Sequence, residues 1–272
     1  MKKLGALILA LALCLLPRSG GSENLLYMID VGKGDAILLF AGEDAYLVDC
    51  GKSGAWENVE QALLDFDVHS LRGVFLTHTD KDHGGGLKKL VKSGVAVENW
   101  YASAYYPGEE SEHPMVKALK KTGFEVTWLQ AGDSVDGLFT VLAPLSASTD
   151  KDDDNSLVML YEYAGVRVLL AGDMEGEEEK ELLSSGADLH CDVFKVPNHA
   201  DDDVCLTMDL GSLGASCALI STDPYDKPGT PDPLLLERLE EAGMEIYRTD
   251  TDGGILVRAE DGKAVIDQSA DR

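Results

Sequence analysis

Histidine is scarce in this 272-residue chain, with six in all, and basic residues are outnumbered: 23 Lys and Arg stand against 49 Asp and Glu. The formal net charge of −26 repels polyanions, which argues against a broad nucleic-acid-binding surface that works by neutralising phosphates. An enzyme acting on a phosphate ester through a bound cation stays open, because the cation supplies the local positive charge. Beyond the N-terminus no apolar run is long enough to cross a bilayer, so no transmembrane domain is expected there. No CxxC pair occurs, which leaves a structural zinc site without support. Repeats of solenoid length are also missing, and the short acidic runs Asp152-Asp153-Asp154 and Asp201-Asp202-Asp203 do not read as linkers.

What is present begins with Met1-Lys2-Lys3, an apolar run over residues 4–16, and Pro17-Arg18-Ser19-Gly20-Gly21-Ser22. Charge, apolar core and small residues in that order mark a secretory signal over residues 1–21, ahead of one domain over residues 22–272. A short anchor or a buried helix are the alternatives. Leu11-Ala12-Leu13-Cys14 also carries the outline of a lipoprotein signal, although Leu13 is large for one. The expected location is therefore secreted, or attached to the outer face of a bacterial cell membrane. The remaining cysteines, Cys50, Cys191, Cys205 and Cys217, are even in number and permit a disulfide. The apolar runs around Cys50 and Cys217 favour small core residues instead.

Hydrophobic periodicity predicts strands over residues 25–31, 36–40 and 45–50, broken by glycine-containing turns in the manner of consecutive hairpins. Trp56, Val59, Ala62, Leu63 and Phe66 fall on one helical face. A short buried strand over 74–77 precedes a helix over 87–93 that stops at Gly94. Further strands are predicted over 99–102, 125–129, 138–143, 157–163, 166–171 and 193–196, with acidic helices over 175–185 and 231–242. The succession points to an α/β fold, an αββα sandwich of two mixed β-sheets with outer helices, pseudo-symmetric in its halves.

Between the strand at 74–77 and the helix at 87–93 lies His78-Thr79-Asp80-Lys81-Asp82-His83, followed by three glycines. Imidazole nitrogen and carboxylate oxygen are the donors that borderline and hard divalent cations prefer, and a tight loop can aim four of them inward. His78 and Asp80 could share one ion, with Asp82 and His83 serving a second nearby. The glycines permit close backbone approach and open a helix N-terminus for an anion. A solvated acidic turn is the bland alternative. Further ligands would come from other strand ends: Asp173, otherwise a helix N-cap, and His199, otherwise a surface histidine. Asn155, in Asp154-Asn155-Ser156, is a weaker candidate.

Taken together these stretches resemble the metallo-β-lactamase superfamily, in which a strand-end HxHxDH loop, a later Gly-Asp and a late histidine bind one or two metal ions. The ComEC-like branch is the nearest in pattern, over residues 28–258. Asp30-Val31-Gly32-Lys33-Gly34-Asp35-Ala36 is similar to its DVGQGDA signature, and residues 78–83 follow its HxDxDH variant. Asp154-Asn155-Ser156, Gly172-Asp173 and residues 245–250 also fit. The resemblance implies His78 and Asp80 at one metal position, Asp82 and His83 at the other, Asp173 bridging, and His199 as the late ligand. Where the branch has two histidines and a glycine this chain has Asn198-His199-Ala200, and Thr230 stands where a later histidine precedes a proline. That leaves open which of Asn198 and His199 faces the metals.

The resemblance further implies an exported hydrolase, with Zn or Mn, and Mg as an alternative, acidifying water for attack on phosphorus or a carbonyl carbon. Asp82 would orient the nucleophile as well as bind metal. Asp35 and Asn198 could brace the site from behind, although Asp35 could equally cap a turn. The substrate expected is a small phosphoester or single-stranded nucleic acid. A β-lactam is disfavoured because the HxH pair is missing. The competing class is a non-catalytic exported binding module that keeps the fold with a degraded centre.

Overall fold

A computed structural model of the protein describes residues 23–147 and 152–267. The segment expected to be a signal and Cys14 lie outside the described residues. Two large sheets stack face to face. In the first, the strands run in the spatial order Lys263–Asp267, Ile255–Glu260, Glu23–Met28, Ile37–Ala41, Asp44–Val48, Gly73–Leu76, Trp100–Ser103 and Thr127–Leu129. The second runs Glu245–Arg248, Cys217–Ile220, Val193–Lys195, Val166–Leu170, Val158–Tyr163, Phe139–Ala143 and Ser134–Val135. Each sheet opens as an antiparallel meander and continues with parallel strands. This repeated design is the pseudo-symmetry expected of the fold.

Strand periodicity explains the layering, since alternate side chains leave opposite faces of a strand. In Ile37–Ala41, Ile37 and Leu39 enter the core between the sheets, while Leu38 enters a second core on the outer face. Tyr46, Phe75, Phe139 and Tyr161 fill the middle of the sandwich, and the Tyr161 hydroxyl crosses it to donate to the Phe40 carbonyl at 2.6 Å. The outer core of the first sheet receives Trp56, Val59, Ala62 and Leu63 from the helix Trp56–Asp65. Leu182 of Gly176–Ser185, with Leu235 and Leu239 of Pro233–Glu241, covers the second sheet. Burial of each such side chain contributes roughly 1.5–3 kcal/mol, so these helices are held by packing more than by propensity.

The differences from the sequence expectation have local causes. The helix expected from Pro231 starts at Pro233, because the Asp232 carboxylate caps it by accepting from the Leu235 amide at 2.9 Å. The strand expected from residue 125 begins at Thr127. Hairpin Ile255–Glu260 and Lys263–Asp267 returns to the edge of the first sheet, a pairing that no local pattern announces. Cys50, Cys191, Cys205 and Cys217 are free thiols, all buried, as the apolar runs around two of them suggest.

Candidate metal centre

The parallel strands of both sheets end at one edge of the sandwich, and the loops that leave them meet there. The Leu157 amide donates to the Thr77 carbonyl at 3.0 Å and ties the edge of one sheet to the other. On the first sheet, Thr77 to Gly84 follow Gly73–Leu76, and Asp49 follows Asp44–Val48. From the second sheet come the turn Asp153–Asn155, Asp173 after Val166–Leu170, the turn Pro197–Ala200 after Val193–Lys195, and Ser221 after Cys217–Ile220.

Asp49 organises the first half. Its buried carboxylate accepts from the Thr77 amide at 2.9 Å, the Thr77 hydroxyl at 2.7 Å and His83 Nδ1 at 2.7 Å. The loop is also seated by close packing. A Cβ on Gly86 would stand 2.2 Å from the Cys50 carbonyl oxygen, so this glycine serves contact with the neighbouring backbone. Asp152 accepts from the Thr79 amide at 2.7 Å and from its hydroxyl.

Three imidazoles then point Nε2 at the same carboxylate. Asp173 Oδ2 lies 3.1 Å from His83 Nε2, 3.2 Å from His199 Nε2 and 4.0 Å from His78 Nε2. Their tautomers follow from what the other nitrogen touches. His199 Nδ1 faces the Ser221 carbonyl at 2.8 Å, and a carbonyl only accepts, so Nδ1 carries the hydrogen. His83 Nδ1 donates to Asp49 in the same way. The Thr77 hydroxyl, whose hydrogen goes to Asp49, is left to accept from His78 Nδ1 at 3.1 Å. In the neutral rings all three Nε2 lone pairs therefore converge on Asp173.

Such an arrangement fits a divalent cation. His78 Nε2, His199 Nε2 and Asp173 Oδ1 are buried with no aligned hydrogen-bond partner, a costly state that a cation would relieve. Among the described residues, four groups of donor atoms lie close enough to share an ion: His78, His83 and Asp173; Asp82, His83 and His199; His78, Asp80 and Asp153; Asp35, Asp49 and His83. Acidic crowding makes the same point. Burial, reinforced by Asp173, Asp80 and Glu175, pushes the Asp153 carboxyl up to about 7. Burial also raises Asp173, but the charges of His199 and His83 outweigh it and hold its carboxyl well below the usual range. Burial lowers His83, yet Asp173 and Asp49 more than reverse this. A proton on His83 and a cation at the same nitrogen compete.

The structure places the residues singled out in the sequence as follows. His78, His83, Asp173 and His199 form the buried heart, and Asp82 flanks it, its Oδ2 3.8 Å from His199 Nε2. Asp80 is exposed and groups with His78 and Asp153. Asp173 does not cap a helix: Gly176–Ser185 begins after Glu175, and the Asp173 carboxylate turns to the imidazoles. Of the late pair, His199 enters the cluster, while the Asn198 amide donates to Glu175 Oε1 at 2.8 Å. Asn155 is buried in the turn that carries Asp153. Asp35 lies behind the cluster. It is paired with Lys195, accepts from the Ser221 hydroxyl and stands 3.8 Å from His199 Nδ1. Thr230 is buried, and the adjoining Asp232 amide donates to the Ala200 carbonyl at 2.7 Å.

Several contributors escaped the sequence reading. Asp153 stands 3.6 Å from His78 Nε2. Asp49 orients His83, and Lys195, buried within its strand, donates to the Gly172 carbonyl at 3.0 Å with Asp173 Oδ1 3.7 Å away. Asn198, His199 and Ala200 all adopt positive φ, 41°, 57° and 62°. Consecutive left-handed residues without a glycine cost about 1–3 kcal/mol each and persist only where the surroundings impose them. Here they swing His199 back beneath Asp173.

A two-sheet sandwich with outer helices and a histidine and aspartate centre at its strand ends is a metal-dependent hydrolase fold. The chain belongs to the metallo-beta-lactamase superfamily, whose family description matches residues 29–211, more than half of its length. Among named proteins it is similar to ComE operon protein 3 of Bacillus subtilis, 26% identical over 258 residues that cover 87% of this chain and 33% of that protein. It is likewise similar to Recombination protein 2 of Haemophilus influenzae, 26% identical over 236 residues covering 84% of this chain and 28% of that one. The chain thus spans about a third of the length of these relatives. The metallo-beta-lactamase fold protein YhfI from Bacillus subtilis shares its architecture with a TM-score of 0.59 at 16% identity, covering 90% of this chain and 100% of that one.

Proposed function

We propose that the protein is an exported hydrolase of phosphodiester or other phosphoester bonds that works with one or two divalent ions, Zn or Mn, with Mg as an alternative. The observation that carries this reading is the convergence of three Nε2 atoms on Asp173, with His78 Nε2, His199 Nε2 and Asp173 Oδ1 buried and without a hydrogen-bond partner. His78, Asp80, Asp153 and Asp173 would hold an ion on one side, and Asp82, His83, His199 and Asp173 on the other. An ion held by these residues would supply an acidified water and a positive charge for the leaving oxygen. The protein's own groups do the rest. Asp82 keeps 17% of its side chain exposed, so it can accept a hydrogen bond from the incoming nucleophile and orient it. Lys33, 2.9 Å from Asp82 and 19% exposed, sets a positive charge at the entrance, which favours an anionic ester over a neutral amide.

Export, through secretion or attachment at the outer membrane face, rests on the signal-like N-terminus and is tested by mass spectrometry of the mature protein. A small phosphoester suits the acidic surface, and single-stranded nucleic acid is the alternative that the sequence resemblance suggests. The test of activity is hydrolysis of bis-p-nitrophenyl phosphate with Mn²⁺ or Zn²⁺ added. Asp82→Ala and Asp173→Ala should each lower kcat/KM by roughly 10²–10⁴. No turnover of any ester by the metal-loaded wild type would sink the proposal. It would favour the second reading, a binding module, for which the pairing of Asn198 with Glu175, away from the centre, is the supporting observation.

A further inference from the structure

We infer that the Lys33 ammonium takes the place of a second cation, so that the centre holds one ion tightly, on the His78 side, and a second only weakly. This rests on the reading of the cluster as a metal centre but not on any hydrolytic activity. The two sides of the cluster differ in what surrounds them. Beside His78 Nε2 stand two carboxylates, Asp153 at 3.6 Å and Asp173 at 4.0 Å, and the neutralisable ring of His83, but no ammonium is paired with either Asp153 or His78 among the described contacts. On the other side, Asp82 Oδ2, the oxygen 3.8 Å from His199 Nε2, is already engaged by Lys33 Nζ at 2.9 Å.

The placement of Lys33 is built into the backbone. Its turn presses on residue 82 so closely that a Cβ on Gly34 would stand 2.4 Å from the Asp82 carbonyl oxygen, and Gly34 takes φ +148°. The Asp35 amide donates to that carbonyl at 3.2 Å. Asp226 accepts a hydrogen bond from the Lys33 backbone and is itself held by Lys52, which braces the turn from outside. The aliphatic stem of Lys33 is thus led past Asp82, and its charge is half buried between Asp82, Asp173 and Asp35.

A divalent ion bound by Asp82, His83 and His199 would share Oδ2 with this ammonium. The like charges repel at short range, and the oxygen that should serve the ion is partly neutralised. The ammonium can swing outward only by giving up its pairing. The second binding step is therefore weakened, not abolished. For an anionic substrate such a centre would offer one metal charge, with the Lys33 ammonium beside Asp82 as a second positive charge.

The experiment is a metal titration of the mature chain, purified without chelator, by calorimetry and native mass spectrometry with Mn²⁺ and Zn²⁺. The wild type should bind one ion tightly and a second at least about tenfold more weakly. Lys33→Gln and Lys33→Met should bind two with that gap removed, while Lys33→Arg, which keeps the charge, should behave as the wild type does. Comparable affinity for two ions in the wild type, or a second step unchanged in Lys33→Gln, overturns the inference. Circular dichroism melts of the variants keep misfolding from being read as lost binding. Two equal ions with intact ester hydrolysis would remove this inference and leave the hydrolase reading standing. One tight ion with no hydrolysis would do the reverse.

Discussion

Asp49 is fully buried behind the imidazoles, and three donors end on its carboxylate, one of them His83 Nδ1. It is a positioning residue: it fixes which nitrogen of His83 faces Asp173, and it holds the backbone at Thr77 from which the loop departs. Changing Asp49 to Asn leaves the shape intact but presents an amide N–H where a donor already points. Metal affinity in Asp49→Asn should fall about 10–100-fold, measured by competition with a chromophoric chelator. Unchanged affinity would mean that the tautomer is held by other contacts. At this scale the sequence was legible where ligand types crowd, as in His78 to His83, and mute where they do not. Asp153 sits in a run of acids that reads as a solvated turn, and Lys195 sits in a strand as a lysine that ordinarily would face water. Each became informative only when folding brought it beside His78 or Asp173.

Among elements, the loop over residues 78–86 depends on the segment against which it lies. Gly86 approaches the Cys50 carbonyl so closely that no side chain fits, and backbone on both sides leaves little room to yield. Gly86→Ala should therefore cost about 3 kcal/mol, read as a lowered urea midpoint, and should weaken metal binding as well. A variant as stable as the wild type would show that the two segments can separate. The strands and the amphipathic helices were visible in the pattern of apolar residues because period 2 and period 3.6 leave distinct traces, as in Ile37–Ala41 and Trp56–Asp65. Strand partners at long sequence separation leave no such trace. Hence the return of Ile255–Glu260 to Glu23–Met28 was not foreseen, and neither was the left-handed turn at 198–200, which lacks the glycine that would have signalled it.

At the scale of the whole molecule, a net charge of −26 surrounds a centre whose proposed substrate is an anion. Salt then acts in the opposite sense to that seen with proteins that bind nucleic acid through basic surfaces, because screening relieves repulsion instead of releasing counterions. Raising salt from about 50 to about 200 mM should lower KM for a single-stranded oligonucleotide severalfold and leave KM for a small phosphodiester nearly unchanged, as measured by steady-state kinetics. A steep loss of oligonucleotide affinity with salt would reveal a basic track that the charge count hides.

The seam between the two sheets carries one last consequence. Thr77 and Leu157 join across it by a backbone hydrogen bond, and His78 and His83 come from one side while Asp173 and His199 come from the other. An ion ligated from both sides is a rivet through two plates. Its binding energy would count as adhesion between the halves of the fold, so metal loading would make the sandwich harder to pry apart along the edge at which the proposed substrate would enter.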